Sequence, residues 1–250
     1  MLSNYEILEE IGKGNFGTVY KGINKETKEE VAIKFETKRT KLLKRETDIY
    51  LLLSKEEGFP RVKWYGTTET FYYMVTDLLG LPLTELKNRC DDIPPVILRR
   101  LGKKMVRLVE KVHKYDILHR DIKPDNFLFD KINYDNLYLI DFGLAKTYKN
   151  TENKHIVEKE SEIVGTFPFI SLNVHAKKLP SRRDDLESVI YILFYLILPA
   201  SEWPTSDEVE FKTRLVEKEH PLVEALKYVR GMGYDEDPLY DKIINIIETI

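Results

Sequence analysis

His119-Arg120-Asp121-Ile122-Lys123-Pro124-Asp125-Asn126, followed 20 positions after Asp121 by Asp141-Phe142-Gly143, is the stretch from which the rest of this 250-residue chain is read. Within eight contiguous positions Asp121, Lys123 and Asn126 supply a carboxylate, an ammonium and a carboxamide, and Asp141 of the tripeptide adds a further carboxylate. A merely polar loop followed by an ordinary turn is the plainer account. It explains poorly why a run of this length is backed by a second motif at a set separation.

Bulk properties narrow the field. Hydrophobic residues make up 42% and charged residues 32% of the chain, an ordinary globular balance. A net charge of −3 supplies no basic field, so binding of nucleic acid is not expected. The one cysteine, Cys90, excludes an internal disulfide framework and fits a reducing compartment. Residues 1–11 alternate polar and apolar side chains and do not read as a signal peptide. The longest apolar stretch, residues 189–198, falls short of the roughly 20 residues a spanning helix needs. It reads as a buried core helix. No membrane insertion, a monomer and a cytoplasmic or nuclear setting are the expectations.

The first third reads as strands at 5–10, 18–22 and 31–37, where β-branched and aromatic residues lie between glycine or charged turns. The period then changes: Leu42, Leu43, Ile49, Leu52 and Leu53 predict a helix over 41–55. Strands are expected again at 62–67 and 71–77, and Leu78-Leu79-Gly80 breaks the pattern as a hinge. Beyond it the chain reads as mostly helical. Asp91 or Asp92 is expected to cap a helix opened by Pro94-Pro95, with Ile97, Leu101, Met105, Leu108 and Val112 facing inward. Ser181 stands where it would cap the helix running into the apolar stretch. The expected architecture is one α+β, bilobal domain over 1–250. Residues 1–77 form a β-rich N-terminal lobe, 78–80 the hinge and 81–250 a mostly helical C-terminal lobe shortened at its end. Small ligands commonly bind in clefts of such architectures.

Gly12-Lys13-Gly14-Asn15-Phe16-Gly17 has the G-x-G-x-x-G spacing shared by several nucleotide-binding folds. A dinucleotide-binding turn leads into a helix. Here Thr18-Val19-Tyr20 follows, a strand-forming run, so the glycines join two strands and offer backbone N–H groups to phosphates. In Val31-Ala32-Ile33-Lys34, alternation puts Ala32 and Lys34 on one face beneath the glycines. Lys34 comes 17 residues after Gly17 and 12 before Glu46, its expected partner on the following helix. Position along the chain puts Thr76 at the back of an adenine pocket. Asp77 and Leu79 then offer a backbone carbonyl and N–H to the base, and Ile11 and Val19 complete the apolar contacts.

With these motifs in view, the sequence resembles Ser/Thr protein kinases of the eukaryotic type, and more narrowly the casein kinase 1 family. The narrower resemblance rests on Pro124-Asp125-Asn126-Phe127-Leu128, Asp141-Phe142-Gly143-Leu144-Ala145-Lys146, Ser171-Leu172-Asn173 and Ser181-Arg182-Arg183-Asp184-Asp185-Leu186-Glu187-Ser188. It implies the bilobal kinase fold, with ATP and Mg²⁺ as cofactors and protein Ser/Thr hydroxyls as substrates. Asp121 would orient the hydroxyl as base, and Lys123, a mark of Ser/Thr kinases, would offset charge on the transferring group. Asn126 and Asp141 would hold Mg²⁺, Lys34 and Glu46 would serve the phosphates, and Gly12, Gly14 and Gly17 would cover them. The resemblance also implies that Asp185 holds the catalytic-loop backbone and that Thr166 bridges Asp121 and Lys123. A catalytically silent scaffold is the alternative. It normally shows as loss of the strand lysine, the catalytic Asp or the metal Asp, and all three are present.

Two departures from that family stand out. Where it carries an arginine that binds a phosphate or acidic group on the substrate, this chain reads Gly165-Thr166-Phe167-Pro168, with acids at 158–162 just before. A preference for substrates already phosphorylated upstream is therefore not expected, unless Lys177, Lys178, Arg182 and Arg183 form a displaced basic patch. The family's usual tail is also not expected here, which makes a compact kinase the expectation; the resemblance implies that it needs no activation-loop phosphate. Thr147, Thr151 and Ser161 lie in that loop as candidate phosphosites.

Overall fold

The computed structural model describes residues 2–14, 17–39, 41–90, 92–132, 135–204 and 206–250. Asn15 and Phe16 of the glycine run, and Asp91 as a helix cap, lie outside the described residues. The chain groups into two compact units, Met1–Leu81 with Leu128–Gly143, and Pro82–Phe127 with Leu144–Ile250. The first is built on a sheet and the second is mostly helical, a bilobal α+β fold.

Strands β1 (Tyr5–Gly14), β2 (Gly17–Asn24), β3 (Glu30–Thr37), β4 (Val62–Thr67) and β5 (Phe71–Asp77) form one antiparallel sheet in the order β1-β2-β3-β5-β4. β1 runs past the expected Glu10 because pairing with β2 continues to its tip, where Gly14 faces Gly17. Alternation along β3 sends Val31 and Ile33 into a core with Tyr73 and Val75 of β5, and puts Ala32 and Lys34 on the other face.

Helix α1 (Leu42–Leu52) takes its N-terminal cap from a distance. The Glu36 carboxylate, two residues beyond Lys34 on β3, accepts the backbone N–H groups of Leu42 (3.1 Å) and Leu43. Those N–H groups have no partner inside the helix. The cap thus sets α1 against the strand that carries Lys34. Leu43, Glu46, Ile49 and Tyr50 lie on the buried face, Leu52 is exposed, and the helix is shorter than the expected 41–55. The segment Leu128–Gly143 joins this unit through backbone hydrogen bonds: Gly80 N–H to Phe129, Phe129 N–H to Leu81 and Leu139 N–H to Gly58, each 2.9 Å.

The second unit holds α2 (Leu83–Arg89), α3 (Pro95–Lys114), α4 (Leu172–His175), α5 (Arg182–Ile197), α6 (Glu208–Arg214), α7 (Leu222–Gly231) and α8 (Tyr240–Ile247). α5 is the central helix, packed by α3 and α7, with α8 against both of these. Every residue of α5 from Arg182 to Phe194 is buried, so its charged side chains must be paired inside.

Three local expectations change. α3 begins after Pro94 with no side-chain cap, so Asp92 does not serve as one; proline at the first helical position lacks the N–H a cap would satisfy. Leu98, not Ile97, is the buried residue of its first turn. Arg182 and Arg183 form no surface patch. Arg182 pairs with Asp237, donates to the Asp235 carbonyl (2.9 Å) and lies 4.7 Å over the Tyr148 ring. Arg183 donates to the Met232 carbonyl (2.7 Å) and to Glu158 (3.1 Å). At the start of α5, Ser181 takes the cap position and its backbone N–H donates to Asp184 at 2.7 Å. Among the described residues no helix is long and apolar enough to cross a membrane.

Candidate active site

In the first unit, Lys34 Nζ lies 2.7 Å from Glu46 Oε2 and 2.9 Å from Asp141 Oδ1. One ammonium therefore serves two carboxylates. Lys34 is held above its ordinary range: burial opposes its charge, but Glu46 and Asp141 outweigh burial. Glu46, almost wholly buried, is pushed up to about 7 by burial against the pull of Lys34. Glu46 is the more deeply buried of the two carboxylates that Lys34 serves.

Asp141 has a left-handed backbone (φ 66°), which costs an L-residue energy unless its surroundings hold it. They do. Its N–H donates to the Tyr50 phenolic oxygen at 2.9 Å, and Tyr50 meets Phe142 edge to face with ring centroids 5.1 Å apart. Tyr50 was not among the expected site residues. Its place four positions after Glu46, on the same helical face, is the signal that would have found it.

Gly12 and Gly14 end β1 and Gly17 opens β2, so the glycines are followed by a strand and not a helix, which excludes the dinucleotide-fold reading. Gly17 (φ 136°) brings the tip against β3: a Cβ there would lie 2.0 Å from the Phe35 carbonyl oxygen. Gly12 pairs with Val19, while a Cβ on Gly14 would meet open space. Ala32 pairs across the sheet with Thr76, which is buried. Ile11 is exposed and Val19 half-buried. Asp77 is fixed by Lys63 (2.9 Å) and by the Arg61 N–H (2.8 Å). Leu79 makes no backbone hydrogen bond among the described residues.

In the second unit the residues of the 119–126 loop converge with Thr166. Thr166 Oγ1 donates to Asp121 Oδ1 at 2.7 Å and accepts from Lys123 Nζ at 3.1 Å, while Lys123 Nζ lies 2.9 Å from Asp121 Oδ2. Asn126 Nδ2 donates to the Asp121 backbone carbonyl at 2.8 Å, which turns its own carbonyl oxygen outward from that bond. Gly165 (φ 114°) passes so close to the loop that a Cβ would lie 2.8 Å from the Arg120 carbonyl oxygen.

The loop's backbone is held by Asp185 of α5, which accepts the N–H groups of His119 (2.8 Å) and Arg120 (2.9 Å). Arg120, like Asp141, is left-handed (φ 66°). Its Nε donates to the Leu144 carbonyl at 2.7 Å. Behind Asp185 stands His113 of α3: Nε2 is 3.0 Å from Asp185 Oδ2 and Nδ1 is 2.8 Å from the Tyr240 hydroxyl on α8. Burial holds His113 below the ordinary histidine range, so the neutral ring donates to Asp185 and accepts from Tyr240. Nothing in the sequence joins His113 to Tyr240, 127 positions away.

The geometry therefore gathers a strand lysine with two carboxylates in one unit and a carboxylate, ammonium, hydroxyl and carboxamide in the other. The family model described as a protein kinase domain matches residues 5–235. The chain belongs to the protein kinase family.

Proposed function

We propose that this kinase transfers the γ-phosphoryl group of ATP to serine and threonine hydroxyls of proteins, in the manner of casein kinase 1. The observation that carries the reading is the hydroxyl of Thr166 on Asp121 and Lys123. Asp121 Oδ would accept the hydrogen of an incoming hydroxyl and aim its oxygen at the phosphorus, and Lys123 would offset charge as the bond forms. Phosphoryl transfer asks mainly for such positioning and charge stabilisation.

Lys34 and the glycine tip would hold the phosphates, and Leu79 the adenine edge. Asn126 in one unit and Asp141 in the other would each offer Mg²⁺ a hard oxygen. Among the described residues no cluster of three or more His, Cys, Asp or Glu could hold a metal. A carboxamide and a carboxylate suit an ion whose remaining ligands are phosphate and water. When bound, Mg²⁺ neutralises charge on the phosphate oxygens.

Substrate choice departs from the resembled family. Pro168 stands where an arginine would bind an upstream phosphate, and Arg182 and Arg183 are engaged inside the fold. We infer that an upstream phosphate is not required.

Radiolabelled ATP with casein tests the reading, using Asp121→Asn as control. The variant should lose roughly 10²–10⁴-fold. Wild-type protein no faster than the variant would leave a nucleotide-binding or scaffolding role instead.

A further inference from the structure

Lys212 of α6 has a fully buried side chain that the site described above does not use. Its ammonium reaches three acceptors: the carbonyl oxygens of Phe167 (2.7 Å) and Ile170 (2.8 Å) and Nε2 of His175 (2.9 Å). An ammonium has three donors, so all are used. Among the described residues no carboxylate lies within ion-pair distance of it. Glu187 of α5 and Glu208 of α6 act from further away, Arg230 of α7 opposes them, and the Tyr191 ring lies 5.0 Å from Nζ. Burial pushes Lys212 down to about 7. Burial, then the charge of Lys212, holds His175 below the ordinary histidine range, so the imidazole is the acceptor.

A buried ammonium without a counter-ion is costly, and its carbonyl partners show what it fixes. Those carbonyls belong to the turn at 166–170. Inside that turn the N–H groups of Phe169 (2.8 Å) and Ile170 (3.1 Å) both donate to the Thr166 carbonyl. The hydroxyl of the same Thr166 bridges Asp121 and Lys123. Gly165, just before it, is pressed against the Arg120 carbonyl. The turn is thus held on one side by the catalytic loop and on the other by Lys212. Remove the lysine and two carbonyls facing the interior lose their donors.

We propose that Lys212 is a positioning residue for phosphoryl transfer: it sets the 166–170 turn, and through Thr166 Oγ1 it directs the Asp121 carboxylate. Only the activity arm of this proposal rests on the kinase reading. Lys212 touches no reacting group; its effect passes through Thr166. Anchoring α6 is the competing role, and it predicts a general loss of stability instead of a local loosening with impaired turnover.

The test compares Lys212→Met with wild type by amide hydrogen exchange and by peptide kinetics. Exchange at Phe169 and Ile170 should quicken about tenfold or more while amides of α3 and α5 keep their protection. Turnover on a peptide should fall about 10- to 100-fold, with KM for ATP changed by less than about twofold. Unchanged exchange at Phe169 and Ile170, or equal quickening across α3 and α5, overturns the proposal. Should Lys212→Met fail to fold, His175→Leu, which removes the acceptor, and His175→Gln, whose carboxamide oxygen restores it, carry the same comparison. The proposal requires the leucine variant to loosen the turn and the glutamine variant to match wild type; equal behaviour of the two overturns it. Wild-type protein without transfer activity defeats the kinase reading, and exchange at the turn still decides the role of Lys212.

Discussion

Tyr50 and Asp141 are joined by one hydrogen bond, 2.9 Å from the Asp141 N–H to the phenolic oxygen, and that bond ties α1 to the proposed metal-binding turn. Glu46, one helical turn earlier, reaches the same aspartate through Lys34. Side chain and backbone of Asp141 are thus both referred to a single helix face. A shift of α1 would disturb the lysine pair and the left-handed turn together.

Tyr50→Phe isolates the backbone tie, because the ring stays against Phe142 and only the oxygen is lost. A buried N–H left without an acceptor should lower stability by about 1–2 kcal/mol. KM for MgATP should rise while KM for peptide stays level. Thermal unfolding and initial rates measure both; a variant with wild-type KM for MgATP would show that α1 does not set Asp141.

The His113–Asp185 pair predicts an acid-sensitive fold. Burial keeps His113 below its ordinary value of 6.5. Burial alone would raise Asp185, but the bond and charge of His113, His119 and the Arg120 N–H hold it below 3.8. Both folded values are depressed, so their contribution is complete above the unfolded values and is lost as pH falls. Stability should decline below pH 6.5, by at most about 1.4 kcal/mol per pH unit for His113, and again below 3.8. Urea midpoints between pH 8 and pH 4, measured for wild type and His113→Gln, check this; an equal slope in the variant would assign the decline to other groups.

Thr166→Val keeps the shape and removes the hydroxyl between Asp121 and Lys123. Turnover should fall about 10- to 100-fold with KM for ATP unchanged, and Thr166→Ser should recover most of it. A valine variant as fast as wild type would mean that Asp121 is aimed by Lys123 and Asn126 alone.

Peptides that differ only in a phosphate upstream of the target serine should be used at similar rates by wild type. Pro168→Arg should shift the ratio toward the phosphorylated peptide by roughly tenfold, the scale of one charge-assisted hydrogen bond. A strong wild-type preference for the phosphorylated form would refute the reading of Pro168.

What could be read in advance follows the range of the interactions. β4 and β5 appear at their expected bounds because alternation and flanking turns are local signals. The glycine tip, Lys34 with Glu46, and the loop from His119 to Asn126 follow fixed spacings. Asp185 and Thr166 follow from the family resemblance, but other partnerships between elements leave no such trace. The cap of α1 comes from Glu36 on a strand, and His113 is oriented by Tyr240 from the far end of the chain. Arg182 and Arg183 misled for a physical reason. Charged runs usually face water, but the α5 residues that carry these arginines are buried, and the guanidinium groups turn toward the Asp235 and Met232 carbonyls and the exposed acids Asp237 and Glu158. Lys212 escaped notice likewise: a lone lysine in a short amphipathic helix reads as surface.

The reach of Asp185 and Tyr240 has a consequence for the order in which the protein is made. Synthesis passes Gly143, the last residue of the sheet-based unit, before either anchor exists. A ribosome-bound chain stalled short of Asp185 already owns Lys34, Glu46 and Asp141, whereas its residues 119–126 still lack the acceptor that shapes them. Units that emerge first fold first. The growing chain should therefore retain an immobilised ATP analogue before it can phosphorylate anything, with competence to transfer acquired only as the last helices leave the ribosome.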